Sequence, residues 1–127
     1  MYIIEINFQS DEAIYTQLMN QIIYGIATNR FREGDSLPSV RSLAEDLGIN
    51  MHTVNKAYTL LKQEGYLKVD RRRGAVIAVD TDHLQALEEM KQSLRVTLAR
   101  GCLSGVTPEE AHRLIDEIYR EYGGNVE

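Results

Sequence analysis

Arg71, Arg72 and Arg73, followed by Gly74, form the most chemically loaded stretch of this 127-residue chain. Adjacent like charges repel one another, so such a run costs stability unless a polyanion neutralises it. The glycine after it lets backbone approach a ligand closely. Upstream, Asn50, His52, Thr53, Asn55 and Lys56 fall within one short segment, and Ser39 and Arg41 precede them. Amide, imidazole, hydroxyl and ammonium groups suit the edges of bases in a major groove, asparagine pairing best with adenine. The chemistry on offer is neutralisation of phosphates combined with hydrogen-bond reading of bases.

The same inventory is poor in catalytic chemistry. His52, His83 and His112 are scattered among different segments, with no nucleophile or orienting carboxylate near them in sequence. The glycines fall at turns and helix ends, so no phosphate-cradling loop is expected. Cys102 is the single cysteine. It has no disulfide partner in the chain and belongs to no Cys/His cluster of zinc-like spacing, and it is expected to be a small buried or half-buried apolar residue. No enzyme activity, cofactor or metal is expected. No apolar run approaches the ~18 residues of a membrane span, and no leader-like start is seen, so a cytoplasmic protein without membrane contact is expected.

A net charge of −5 is unusual for a protein that meets nucleic acid, but its distribution resolves the conflict. Residues 29–74 hold nine basic and six acidic side chains, and residues 50–74 alone hold six basic and two acidic. Residues 75–127 hold five basic against ten acidic. Positive charge therefore gathers on the candidate reading segment, as a phosphate footprint requires.

Several elements must position these groups. Residues 3–6 are β-prone and are expected to form a short edge strand. Ile14, Leu18, Ile22 and Ile26 recur at helical spacing and predict a helix to about Thr28. A connector with a Gly34-Asp35 turn leads to Pro38 and Ser39, the latter an N-cap for a second helix whose inner face is Val40, Leu43, Ala44 and Leu47. Gly48 stops that helix, and Asn50 caps a third one running to about Glu64, with Val54, Ala57, Tyr58 and Leu61 inward. Two helices joined by so short a glycine-bearing turn read as a helix-turn-helix. Tyr66 to Val69 and Ala75 to Val79 predict a hairpin with a five-residue basic loop, a wing beside the third helix. The fold class is thus mainly α with a small β-hairpin: a winged helix-turn-helix over residues 1–80 and a two-helix region over 81–127.

In that second region Leu84, Leu87, Leu94 and Leu98 trace a stripe along a helix of about twenty residues, which Gly101 to Val106 are expected to break. Thr107, Pro108 and Glu110 then start another helix lined by Leu114, Ile115, Ile118, Tyr119 and Tyr122. Two helices alone enclose little core, so these nine residues are expected at a homodimer interface, as a four-helix bundle across two copies.

The chain resembles the GntR family of transcription regulators, specifically its small YtrA-type subfamily. The resemblance rests on Ala-Ile-Tyr-Thr-Gln-Leu at 13–18 and on FREGDSLPSVRSLAEDLG at 31–48. It extends through Thr53-Val54, Ala57-Tyr58 and the Leu-x-x-Glu-Gly-Tyr exit at 61–66. It implies a DNA-contacting set of Ser39, Arg41, His52, Thr53, Asn55, Lys56 and the wing around Arg72, Arg73 and Gly74, to which our reading adds Asn50 and Arg71. It further implies a repressor acting on a palindromic operator of a transporter-type operon or its own. Met51 and Asn55 stand where larger members often carry arginine, and Ala75 replaces a second wing glycine, so their operator preference does not transfer. Two alternatives stay open from sequence: a protein-interaction module using the same fold, and a regulator gated by an effector at the dimer interface.

Overall fold

The computed structural model describes residues 4–123 and divides into two compact units on either side of Asp80. The first unit contains α1 (Ile14–Ala27), α2 (Val40–Leu47), α3 (Met51–Gln63) and the antiparallel strands β1 (Leu67–Asp70) and β2 (Gly74–Ile77). Helix α3 packs against both α1 and α2, and its C-terminal end meets β1. Leu18, Ile22, Leu43, Val54, Leu61 and Ile77 meet in one buried cluster. They are the positions that helical and strand periodicity bring to a common side.

Local chemistry fixes the helix ends. The Ser39 hydroxyl accepts from the Ser42 amide at 3.1 Å, and the Asn50 side chain accepts from the His52 amide at 2.7 Å. Each satisfies a first-turn donor that the helix itself leaves unpaired. Gly48 takes φ 69°, the left-handed geometry that ends α2 and sets the tight turn before α3. The four residues Val54, Ala57, Tyr58 and Leu61 are buried as their spacing predicts. Tyr58 also donates its hydroxyl to the Pro38 carbonyl at 2.8 Å, tying α3 to the start of α2.

The structure corrects five expectations. Residues 4–6 are not a strand, and Ile3 lies outside the described residues. Instead, the Glu5 and Asn7 amides donate to the side-chain oxygens of Gln21 and Gln17 on α1, each at 2.9 Å. Glutamine amides at successive helical turns thus replace a neighbouring strand, which explains why the polar Gln17 is buried. Second, Asp70 pairs with Gly74, so the hairpin loop has three residues, Arg71 to Arg73, rather than five. Third, the strand bounds move toward the tip: β1 runs from Leu67 to Asp70, and β2 begins at Gly74 and already ends at Ile77. The connector partly makes up for this: Ser36 bridges Val76, and Leu37 donates to the Ala75 carbonyl at 2.8 Å.

The second unit consists of α4 (His83–Leu103) and α5 (Pro108–Glu121). Here lies the fourth correction: α4 continues through Gly101 to Leu103. Val106 lies where a side chain at 101 would touch it, and its amide donates to the Gly101 carbonyl at 2.9 Å. A Cβ at 101 would make only ordinary contact with Val106, so the glycine sits inside an unbroken helix; Gly105, at φ 87°, makes the turn. Thr107 and Glu110 form the expected reciprocal capping box at the start of α5. No residue of α4 or α5 is buried, and the fifth correction follows from this: Cys102, expected to be buried or half-buried, is exposed because α4 encloses no core of its own.

Candidate nucleic-acid interface

The predicted DNA-facing residues lie on three elements of the first unit. Ser39 and Arg41 stand at the start of α2, Asn50 to Lys56 on the turn and first half of α3, and Arg71 to Gly74 on the hairpin tip. All are exposed except Thr53, which is half-buried. Asn50 and Ser39 spend a side-chain oxygen on capping, so each presents a partly committed group. His52, Asn55, Lys56 and Thr59 recur at intervals that put them on one outward face of α3. Arg41 lies in the first turn of α2 and is exposed.

Lys56 has a specific neighbour. Its ammonium sits 4.0 Å from the centre of the Tyr15 ring on α1, over the ring face. The ring quadrupole attracts the cation, which holds the charge at the α1 side of the helix. The opposite side of α3 borders a groove of about 410 Å³ between helix and hairpin. Ser39, Asn55, Thr59 and Lys62 line one wall, Lys68, Val69 and Gly74 the other, and Tyr58 lies between. Val69 is 66% exposed there, an apolar surface on a wing strand without cover. Thr59, Lys68 and Val69 were missed by sequence reasoning. A signal existed for the helix wall, since 55, 59 and 62 share a helical face, whereas Lys68 and Val69 acquire their position from strand pairing.

At the hairpin tip the backbone is held by one carboxylate. Asp70 accepts from the Arg72 amide at 2.8 Å and from the Arg73 amide at 3.1 Å. These bonds, first that of Arg72 and then that of Arg73, hold its carboxyl below the ordinary value of 3.8, and the nearby charges of Arg73 and Lys68 act in the same direction. The three arginines are not equivalent. The Arg73 guanidinium donates through Nη2 to the Gly34 carbonyl of the connector.

The residues expected at a dimer interface are all in the second unit. Leu84, Leu87, Leu94 and Leu98 on α4 are exposed, as are Leu114, Ile115, Ile118 and Tyr119 on α5. Tyr122 is half-buried and meets Tyr119 edge to face at a centroid distance of 5.5 Å. Among the described residues no group of His, Cys, Asp or Glu is arranged to hold a metal ion, and no helix is long and apolar enough to cross a membrane.

Three helices, a tight glycine turn and a basic hairpin beside the second helix of the pair define the winged helix-turn-helix class of DNA-binding transcription regulators. Comparison with known proteins narrows this. The profile described as "Bacterial regulatory proteins, gntR family" matches residues 12–77. The HTH-type transcriptional repressor YtrA of Bacillus subtilis is 32% identical over 124 residues, covering 95% of both chains. Among solved structures, a transcriptional antiterminator from Listeria monocytogenes EGD-e aligns at a TM-score of 0.83 and 32% identity, over 98% of this chain and 96% of that one. YtrA from Sulfolobus acidocaldarius, a GntR-family transcription factor, aligns at 0.64 and 40% identity, over 80% of this chain and 98% of its own. The chain belongs to the gntR family of regulatory proteins, in its small YtrA-type branch.

Proposed function

We propose that the protein is a cytoplasmic homodimeric repressor that binds a palindromic operator, that of a transporter-type operon or of its own. The observation that carries this reading is the exposed convergence of α3, the start of α2 and the arginine hairpin around one groove. In this reading α3 enters the major groove, where Asn55, His52 and Thr53 meet base edges. Ser39, Arg41, Asn50 and Lys56, with Lys62 and Lys68 across the trough, lie against phosphates. Arg71, Arg72 and the backbone at Gly74 extend the wing toward the neighbouring minor groove. Repression is supported by the name of the B. subtilis relative, which is matched over nearly its whole length.

The dimer is supported by the second unit, whose leucine and isoleucine faces lie uncovered on α4 and α5. A second copy would bury them in a four-helix arrangement, and two-fold symmetry would place two recognition helices roughly one DNA turn, ~34 Å, or a multiple of it apart. Selection of bound duplexes from a random pool tests the reading. It is expected to return two inverted half-sites, and Asn55→Ala is expected to relax the preference at one position in each half-site. A pool that shows no enrichment would overturn it.

A further inference from the structure

We propose that Arg73 is a positioning residue that latches the wing to the connector, leaving the charge delivered to DNA to Arg71 and Arg72. This rests on the reading of the hairpin as a DNA-contacting wing. In sequence the three arginines look interchangeable, and resemblance to the family counts Arg73 among the contacts. The structure separates them. Arg73 reaches back across 39 positions to donate to the Gly34 carbonyl, whereas the guanidinium groups of Arg71 and Arg72 make no such bond to a described residue.

Gly34 is well suited to receive the bond. It sits in the turn between α1 and α2 at φ 90°, and its own amide donates to the Ile77 carbonyl of β2 at 2.8 Å. One peptide group on each side of Gly34 is therefore committed to the hairpin: its N–H to the strand, its C=O to the tip arginine. The Asp35 carbonyl continues the contact by accepting from the Ile77 amide at 2.8 Å. At the base of the hairpin the Glu33 carboxylate accepts from the Val79 amide at 3.0 Å. The connector from Glu33 to Leu37 thus straps β2 along its length, Leu37 nearest the tip, and the Arg73 side chain reaches from the tip back to the Gly34 end of the strap.

The tip needs such a restraint. A two-stranded hairpin standing alone is marginally stable, and three adjacent cations push it open. Asp70 organises the turn through the Arg72 and Arg73 amides but does not fix the direction in which the hairpin leans. The Arg73 bond to Gly34 does, because it links the tip to a connector that leads directly into α2. A guanidinium is a suitable latch because it keeps its charge at every working pH, and its planar fork can hold a carbonyl with one nitrogen. Restraining the wing before DNA arrives removes an ordering cost from binding, so Arg73 raises affinity without touching a phosphate.

The test uses the full chain and the duplex enriched by the wild-type protein, titrated by fluorescence anisotropy at several salt concentrations. Arg72→Ala is expected to lower the slope of log K against log salt by about one per protomer, as loss of a phosphate contact does. Arg73→Ala is expected to weaken binding roughly fivefold, the scale of one lost hydrogen bond, with the slope unchanged. Arg73→Lys should recover part of the affinity. A slope that falls in Arg73→Ala as it does in Arg72→Ala overturns the proposal, and so does an Arg73→Ala protein that binds like wild type.

A second measurement is made without DNA. Amide exchange at Gly34 and Ile77 is expected to quicken in Arg73→Ala and to stay unchanged in Arg72→Ala. Equal exchange in the two variants overturns the latch even if the wild-type protein binds no duplex. Absence of wild-type binding would instead strike the functional reading.

Discussion

Residues 4–80 and residues 81–123 face the same physical problem, the removal of apolar side chains from water, and solve it to different extents. In the first unit Leu18, Ile22, Leu43, Val54 and Leu61 are fully buried around α3. In the second, Leu84 is 72% exposed and Leu103 89% exposed, and neither helix buries a residue. The two also differ in charge: residues 4–80 hold nine basic against ten acidic side chains, with the basic ones gathered in residues 29–74, whereas residues 81–123 hold five against eight. A unit that closes its own core can hold a reading surface still. In the proposed dimer the open stripes of the second unit are covered by its partner, and the acidic charge there disfavours contact with nucleic acid.

The largest expected effect breaks this contrast at its weaker side. Leu98→Asp puts a charge on the open face of α4, and a symmetric interface suffers the change twice, so dimer stability should fall by about 4 kcal/mol or more. Sedimentation should show monomers at concentrations where the wild type is dimeric, while the unfolding of residues 4–80 is unaltered. A variant that stays dimeric would mean α4 does not face the second copy.

Leu61→Ala attacks the stronger side. It removes a fully buried side chain from the α3 core and should cost roughly 2–5 kcal/mol in denaturant unfolding, independent of protein concentration. The same truncation at exposed Leu84 should change monomer stability by no more than about 0.5 kcal/mol. Similar losses at both positions would erase the distinction between the units.

Gly25→Ala sharpens the picture of the first unit. The Gly25 Cα faces the buried Phe31 ring so closely that a Cβ would run into Cδ2 and Cε2 of the ring. Phe31 anchors the connector to α1, with its amide bonded to the Gly25 carbonyl at 3.0 Å. Overpacking here should cost about 1–3 kcal/mol and loosen the connector that straps the wing. Unfolding midpoints and amide exchange at Gly34 would register the two consequences separately.

The smallest effect concerns acid. Asp70 has a folded value held below the ordinary 3.8, so its contribution to the hairpin is present above that value and lost as pH falls through the depressed one. The amide signals of Arg72 and Arg73 should therefore titrate with a midpoint below 3.8, and Asp70→Asn should abolish that titration. A midpoint at or above the ordinary value would show that the carboxylate does not cap the turn.

Much of the first unit could be read from local residues, because its determinants are local. Ser39, Gly48 and Asn50 mark helix ends by chemistry that acts within three residues, and Val54, Ala57, Tyr58 and Leu61 reveal one face by their spacing. The errors share a cause in contacts between distant positions. The β-prone start fails as a strand because its partners are the side chains of Gln17 and Gln21, which no propensity reports. Gly101 looks like a helix breaker until Val106 is seen returning against it. The candidate site divides in the same manner. Its α2 and α3 members were legible, whereas the wall formed by Lys68 and Val69 depends on strand register, and the separate role of Arg73 depends on Gly34, far away in sequence.

The central claim is that α3, the start of α2 and the hairpin form one surface for duplex DNA. The most direct test is an equilibrium titration of the intact protein with its selected duplex, repeated with a scrambled duplex across a series of salt concentrations. The expected result is a linear fall of log K with log salt for both, and tighter binding to the selected duplex at every salt. Equal affinity for the two duplexes, or no binding to either in dilute buffer, would contradict it.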